Sequence, residues 1–344
     1  PSGVFPPAMA ESITIITMAR MSSRMIQSDY ANNPEIILSK AYDPSLGKGN
    51  NLSRQIGVGE TPLGVSKDCI DDYLCAETGL PVTLCNCPGH TTHTGLLAEL
   101  NNRDPRLLQT VCSPEAGEHT YYLKGHPANI ANIVNTGAGG SSSTGYSIAK
   151  FYNAAEHLAA HHQGTLDAPV FRFGEILLIR AEAAAELGTI SQTDLDATVN
   201  KLRERVGFNH KLTMSPAVDP KLEAEYPNVS ANNATLIREI RRERRVELFG
   251  EGYRFDDLRR WACGKRLDAS VAPRMGMIPD AKLYSAENIT AMQNVLGTNS
   301  KGELDIYSKR VDTQARFEDP KNYLFAIPTN EISINPNLTQ NTGW

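Results

Sequence analysis

The clearest pattern along the chain is a run of apolar residues at helical spacing that begins at Phe171. The run stops before Gly188, and glycine commonly follows the last turn of a helix. A second run comes next and ends before Gly207, and Thr193 and Asp196 at its start have the spacing of a capping box. The sequence therefore predicts two helices joined by a short loop, which form a helical hairpin.

A second pair of helices is predicted after residue 234. Apolar positions repeat at helical spacing from Leu236 to Phe249. Gly250 then indicates a turn, and the pattern resumes between Phe255 and Trp261. Stacked helical hairpins are typical of tetratricopeptide-like proteins, although the consensus of ~34 residues is not evident here. The predicted fold class is therefore mainly α, with tetratricopeptide-like hairpins packed against a loop-rich, irregular region.

The residues on either side of these hairpins are dominated by turn signals. In residues 29–170, glycine and Asp-Pro turn signals interrupt short apolar stretches, and Ile36–Leu38 is predicted as a short strand. Asparagine and proline residues in 322–344 predict an extended, turn-rich ending. The sequence thus divides into a loop-rich part (29–170), helical hairpins (171–265) and a loop-rich C-terminal part (266–344).

Composition and charge argue against several classes of protein. The chain has 344 residues, of which 40% are hydrophobic and 21% charged, and this is typical of a globular protein with a sizeable core. Lys and Arg number 34 against 39 Asp and Glu, and the net charge of -5 argues against binding to nucleic acid. No apolar run reaches the ~18 residues that would cross a bilayer. A link to a membrane would need a lipid, a partner or a further segment.

One segment is unusually rich in charge. Residues 238–247 contain five Arg and three Glu, a net charge of +2. Mixed charges on a helix usually form a solvated face or a lattice of ion pairs, and Glu239 and Arg242 are spaced to meet. We therefore interpret this helix as structural and expect Trp261 in the core. Phosphate binding and contact with a partner protein are the alternatives.

Cys85, Cys87, His90 and His93 form the one cluster of residue types that ligate metals. Two thiolates and two imidazoles suit a tetrahedral zinc ion, but such sites usually separate their two ligand pairs by a dozen or more residues. All four residues fall within nine positions here. We therefore expect a polar loop without a metal ion, with a metal site or a disulfide as the alternatives.

A candidate ligand site lies in the polar, glycine-rich segment 113–146. Flat aromatic rings can cover the apolar face of a ligand while amides and hydroxyls bond its polar edge, and local packing of the rings is the alternative. The chain has no Gly-x-Ser-x-Gly elbow, no phosphate-binding glycine loop and no His-Glu-x-x-His pair, so we expect binding without catalytic residues or a cofactor. The loop-rich part 29–170 is therefore expected to be the ligand-facing part. The predicted ligand-contacting residues are His119, Tyr121, Tyr122, His126, Asn132 and Tyr146.

Four separated motifs occur along the chain in the same order as in a known protein family. They are Asn102–Leu107 followed by Gln109 and Thr110, the helix Phe171–Glu182, the segment Arg241–Trp261, and the tail from Tyr323 onward. Together they resemble the SusD/RagB family of outer-membrane, surface-exposed nutrient-binding lipoproteins, and the resemblance covers residues 29–344. The family's usual N-terminal portion has no counterpart in residues 1–28. We therefore expect the chain to correspond to the C-terminal two thirds of a member.

The resemblance implies a single SusD/RagB-like domain over residues 1–344 that acts at the extracellular face of the outer membrane. Members of the family capture glycans, or peptides in some cases, and pass them to a SusC-like TonB-dependent transporter. The resemblance further implies a lipid anchor on a preceding segment, and no catalysis. The shared motifs are expected to hold the fold together, so none of them assigns ligand-binding residues to this chain.

Two other functions stay open at this point. A metal-dependent hydrolase would use the segment Cys85–His93 as its metal site, and metal analysis would identify it. A scaffold that binds only protein partners would use the helical hairpins and would bind neither oligosaccharide nor peptide in a titration. The sequence leaves the ligand class, glycan or peptide, undecided.

Overall fold

The computed structural model describes residues 27–58, 63–87, 95–113, 133, 142–153, 155–156, 159–309 and 314–344. Helices dominate this part of the chain, and the predicted mainly α fold is confirmed. Within these ranges, no helix is both long enough and apolar enough to cross a membrane.

A two-stranded antiparallel sheet joins the two ends of the first loop-rich part. Strand β1 (Ile36–Lys40) pairs with strand β2 (Ala168–Arg172), so that Ile36 lies opposite Arg172. The strand predicted at residues 36–38 is therefore confirmed. Because β2 leads directly into the first long helix, the sheet connects the helical part to the start of the described chain.

In the described residues between the strands, four short helices lie where the sequence predicts mostly turns. Each spans four to seven residues, which is too short for apolar periodicity to reveal. They are α1 (Leu52–Val58), α2 (Lys67–Ile70), α3 (Leu96–Leu100) and α4 (Arg106–Thr110).

Six helices follow where the sequence predicts hairpins. Helix α5 packs against α9, and both contact α7, as stacked tetratricopeptide-like hairpins require. Their bounds are α5 (Phe173–Glu186), α6 (Gln192–Ala197), α7 (Val199–Arg205), α8 (Pro220–Glu225), α9 (Ala234–Glu247) and α10 (Arg254–Arg260).

The predicted second helix differs from the structure in two details. Its capping box consists of Ser191 and Asp194 rather than Thr193 and Asp196. The Ser191 hydroxyl accepts the N–H of Asp194 at 3.2 Å, and the Asp194 carboxylate accepts the N–H of Ser191 at 3.1 Å. The helix is also divided at Thr198, whose backbone angles (φ -125°, ψ -93°) leave the helical region.

The hairpins enclose a hydrophobic core of their own. Trp261 belongs to it, as predicted, and its ring meets the Tyr226 ring edge-on with 5.5 Å between centroids. The indole N–H donates to the buried carboxylate of Glu182 at 2.5 Å. The fully buried apolar members of this core include Leu178, Ala181, Ala185, Leu195, Val199, Ile237 and Ile240.

A second core joins the two loop-rich parts of the chain. Leu107 and Tyr146 from the first part pack with Met277 and Leu304 from the last part, and Val246 of α9 contributes to the same cluster. The parts before and after the hairpins therefore pack together and against α9. The charged helix α9 lies between two cores.

The C-terminal part contains helix α11 (Ala286–Leu296) and, near the end, helix α12 (Thr329–Ile334). Helix α12 interrupts the ending that the sequence predicts as extended. The indole N–H of Trp344 donates to the carbonyl oxygens of Lys321 at 3.2 Å and Leu324 at 3.0 Å, which fixes the last residue against the preceding turn.

Candidate functional site

Most of the predicted ligand-contacting set lies outside the described residues, and its role stays a prediction. Tyr146 is described, and its side chain is fully buried. Its hydroxyl donates a hydrogen bond to the carboxylate of Glu99. Because a ring without exposed surface cannot stack on a ligand, the structure gives Tyr146 a core role in place of the predicted ligand contact. The residues outside the described ranges are His119, Tyr121, Tyr122, His126 and Asn132.

The charged helix α9 is buried, so of the two arrangements expected for mixed charges the structure has the lattice of ion pairs and not the solvated face. Glu239 and Arg242 meet at 3.4 Å, as their spacing predicts. Other partners come from distant parts of the chain, since Glu243 pairs with Arg106 at 2.6 Å and with Arg203 at 2.9 Å. The helix thereby holds other elements in place, which agrees with a structural role.

The Glu247 carboxylate of this lattice is shared by three arginines. It pairs with Arg205 at 2.7 Å, with Arg172 at 2.8 Å and with Arg106 at 3.2 Å. Burial alone would raise its pKa, but these three guanidinium groups hold the pKa well below its ordinary value. The carboxylate is therefore ionised and links α4, β2 and α7 to α9.

A second group of buried charges lies on the other side of α9. Asp72 pairs with Lys221 and with Arg245, each at 2.5 Å, and Arg245 also pairs with Asp68 at 2.8 Å. Glu225 belongs to the same group, and burial, followed by the nearby negative charge of Asp72, raises its pKa to about 7. This group connects α2 and α8 to α9.

A cavity of about 440 Å³ lies beside α9 and the start of α10, and we call it the arginine-lined cavity. Four arginines and one aspartate give its lining a formal charge of +3, and three aromatic rings are interleaved with them. The lining residues are Gly64, Val65, Ser66, Cys69, Arg244, Arg245, Leu248, Phe249, Gly250, Gly252, Tyr253, Arg254, Phe255, Asp257 and Arg274.

Several of these arginines are incompletely compensated. Arg244 pairs with Asp257 at 2.8 Å, but its buried Nη1 has no hydrogen-bond partner among the described residues. Arg254 donates to the Tyr226 hydroxyl at 2.9 Å, and Arg274 donates to main-chain carbonyl oxygens. Burial lowers the pKa of Arg274. Since neither Arg254 nor Arg274 pairs with a carboxylate in the described part of the chain, the cavity can attract an anionic group.

The predicted cysteine and histidine cluster is only partly described. His90 and His93 lie outside the described residues, while Cys85 and Cys87 are buried inside them. The fold adds Cys75, and the three sulfur atoms all lie within 4.8 Å of one another. Sequence reasoning missed Cys75 as a partner of Cys85 and Cys87 because it precedes Cys85 by ten positions and no short metal-ligand spacing joins them. We call this set the cysteine trio.

The pKa values of Cys75 and Cys87 in the cysteine trio are shifted in opposite directions. Burial alone would raise the pKa of Cys75, but hydrogen bonds from the Thr78 side chain and from the N–H groups of Thr78 and Glu77 lower it to about 6. A hydrogen bond with Cys85, followed by burial, raises the pKa of Cys87. Cys75 is therefore the most acidic thiol of the trio for which a shift is resolved.

Comparisons with known proteins agree with this architecture. The model of the SusD family matches residues 34–344. A SusD-like carbohydrate binding protein from Bacteroides fragilis is similar in structure with a TM-score of 0.61 and 21% identity, and the match covers 97% of this chain and 60% of that one. No curated protein matches the sequence significantly.

A second SusD-like protein from Bacteroides fragilis has a TM-score of 0.61 and 20% identity, and its match covers 94% of this chain and 57% of that one. The chain thus spans about 60% of the length of the first of these solved relatives and 57% of the second. At these identities the structural likeness shows the fold alone. The family model covers nearly all of the chain, and the chain therefore belongs to the SusD family.

Proposed function

We propose that this chain captures a glycan, or a peptide, at the extracellular face of the outer membrane and passes it unchanged to a SusC-like TonB-dependent transporter. Membership of the SusD family is the observation that carries the proposal. One structural neighbour is a carbohydrate binding protein, which supports glycans as the ligand class. A lipid anchor on a preceding segment of the complete protein would hold it at the membrane.

The arginine-lined cavity supports ligand capture and adds a preference for charge. Phe249, Tyr253 and Phe255 offer rings that can stack on a sugar or peptide face, with Phe255 partly exposed. Arg254 and Arg274 can donate to a carboxylate, because neither is paired with one among the described residues. We therefore expect a ligand that carries carboxylate groups, as uronic acids and acidic peptides do.

The predicted ring-bearing segment remains a second candidate contact region. Tyr121 and Tyr122, beside His119, His126 and Asn132, would stack on the ligand and bond its polar edge. We expect replacement of both tyrosines by alanine to weaken binding while leaving the fold intact. Unchanged affinity in the double variant would remove this segment from the site.

Isothermal titration with matched oligosaccharides tests the cavity. We expect an oligouronate to bind more tightly than a neutral oligosaccharide of equal length, and acidic peptides to bind more tightly than neutral ones. Arg274→Ala should weaken binding of the oligouronate by about tenfold to a hundredfold, the effect of losing one charged hydrogen bond. The control Arg316→Ala changes an exposed arginine outside the cavity and should have no effect.

Each rival outcome has a distinct signature. Equal affinity for acidic and neutral ligands, unchanged by Arg274→Ala, would exclude the cavity from the site but leave the capture function standing. Shortened ligand in the titrated sample would indicate a hydrolase. Absence of binding to every oligosaccharide and peptide, together with copurification of protein partners, would favour a scaffold. Copurification with the co-expressed transporter tests the proposed delivery step.

A further inference from the structure

The cysteine trio is a cluster of metal-ligating side chains that the proposed function does not use. Cys75, Cys85 and Cys87 come from two segments of chain, yet their sulfur atoms all lie within 4.8 Å. The Sγ atoms of Cys75 and Cys87 are 3.6 Å apart. All three side chains are buried, and Leu80 packs against them.

The backbone holds these sulfur atoms in place. The N–H of Cys75 donates to the carbonyl oxygen of Leu80 at 2.9 Å, and the N–H of Gly79 donates to the carbonyl oxygen of Cys75 at 2.9 Å. The N–H of Ala76 donates to Asn102 at 2.9 Å, which ties this turn to the neighbouring segment. The turn that carries Cys75 is therefore held by main-chain hydrogen bonds, and with the three sulfur atoms within 4.8 Å an ion would find its ligands close together.

A main-chain donor contacts one of the sulfur atoms. The N–H of Cys87 donates to Cys85 Sγ at 3.3 Å. Outer contacts of this kind orient the side chains that ligate a metal. The Cys85 sulfur is thus held in place by the backbone of Cys87.

A buried cation beside the trio has no carboxylate partner in the part of the chain that the structure describes. Arg103 is buried, lies opposite Cys75 in a β-bridge, and donates to the carbonyl oxygens of Ile70, Tyr73 and Glu99. Among the described residues it forms no salt bridge within 4.0 Å. Three thiolates around a divalent or monovalent cation carry a net negative charge, and that charge would compensate the buried guanidinium group.

We propose that Cys75, Cys85 and Cys87 bind one thiophilic metal ion, zinc(II) or copper(I). Zinc–sulfur bonds of ~2.3 Å place tetrahedral sulfur ligands ~3.8 Å apart, close to the 3.6 Å between Cys75 and Cys87. Copper(I) also selects soft thiolate ligands. The crowding that argues against a metal in the segment 85–93 concerns four ligands within nine positions, whereas this set takes one ligand, Cys75, from a separate turn, and the fold brings its sulfur atom to the other two.

The bound ion would also strengthen the wall of a second cavity. Thr78–Pro81, the turn that follows Cys75, lines a cavity of about 350 Å³ together with His210 and Glu239. An ion bound by Cys75, Cys85 and Cys87 would link the two ends of this turn through metal–sulfur bonds. We therefore expect slower hydrogen exchange of the amides in residues 76–80 in the metal-bound chain.

Metal content of the purified full chain tests the proposal. The chain is expressed with added zinc, kept reduced with a phosphine, and analysed by inductively coupled plasma mass spectrometry. We expect about one zinc ion per chain, and its loss when all three cysteines become serine. Separate loading with zinc(II) and anaerobic copper(I), each against a competing chelator, identifies the preferred ion. Cys112→Ser and Cys263→Ser change buried cysteines outside the trio and should keep the metal.

A cobalt(II) titration of the metal-free wild-type chain keeps the test independent of how the variants fold. Three thiolate ligands give an intense sulfur-to-cobalt charge-transfer absorption, which should saturate at about one equivalent. A reduced wild-type chain that binds none of the three metals overturns the proposal. So does a disulfide between two of the three cysteines, found by mass spectrometry of the non-reduced chain after metal-supplemented expression.

Discussion

At the scale of single residues, burial increases the contribution that an individual carboxylate makes to the stability of the fold. The Glu247 carboxylate compensates parts of three buried guanidinium groups. By contrast, the pair between Lys321 and Glu318 at 3.2 Å lies at the surface, where water screens both charges. Two ion pairs of similar length therefore differ in their contribution because of burial.

Replacement of Glu247 by glutamine tests this difference. The amide keeps the volume but removes the negative charge, so three buried arginines lose a shared partner. We expect the free energy of unfolding to fall by ~3–5 kcal/mol, measured by urea denaturation. The matched control Glu318→Gln should change it by ~0–1 kcal/mol. A Glu247→Gln chain as stable as the control would show that the lattice is not a source of stability.

At the scale of elements, the apolar pattern predicts the long helices well and their ends less well. Helices α5 and α9 form where the sequence predicts helices, because each spans 14 residues, which is long enough to show helical periodicity. The sequence predicts the cap of α6 two positions late, since Thr193 and Ser191 can both begin a capping box. The division at Thr198 could not be predicted, because the apolar pattern continues across this residue.

The assigned cap can be tested by removing one hydroxyl. Ser191→Ala removes the acceptor for the N–H of Asp194 at the start of α6. We expect a loss of ~1 kcal/mol in the free energy of unfolding. Thr193→Ala, at the position that the sequence favoured, should cost less than ~0.5 kcal/mol. Equal effects of the two substitutions would contradict the assigned cap.

At the scale of the whole molecule, the sequence could not predict which charges are buried. Arg106 and Glu243 are separated by 137 positions, and Arg245 and Asp68 by 177. A charged helix has the same local pattern whether its partners are water or distant side chains. The sequence could not predict the arginine-lined cavity for the same reason, because only the fold brings Arg274 to the other cavity residues.

The buried charges also make the stability of the whole chain depend on pH, in two directions. The pKa of Glu247 is lowered, so its stabilising contribution is complete above the ordinary value of 4.5 and decreases as the pH falls through the folded-state pKa. The pKa of Glu225 is raised from 4.5 to about 7. Between these two values the folded chain binds the proton more tightly than the unfolded chain, so this contribution to stability falls as the pH rises.

Replacing Glu225 by glutamine isolates the second effect, because the amide cannot titrate. The wild-type chain should lose stability relative to Glu225→Gln between about pH 5 and about pH 8, by ~2–3 kcal/mol from the raised pKa. The measurement is the free energy of unfolding in urea at several pH values. Glu223→Gln, at an exposed position of the same helix α8, should differ from wild type by ~0–1 kcal/mol throughout. A difference between wild type and Glu225→Gln that stays constant, or that changes in favour of the wild type as the pH rises, would show that Arg266, at 2.8 Å, outweighs burial and the neighbouring aspartates.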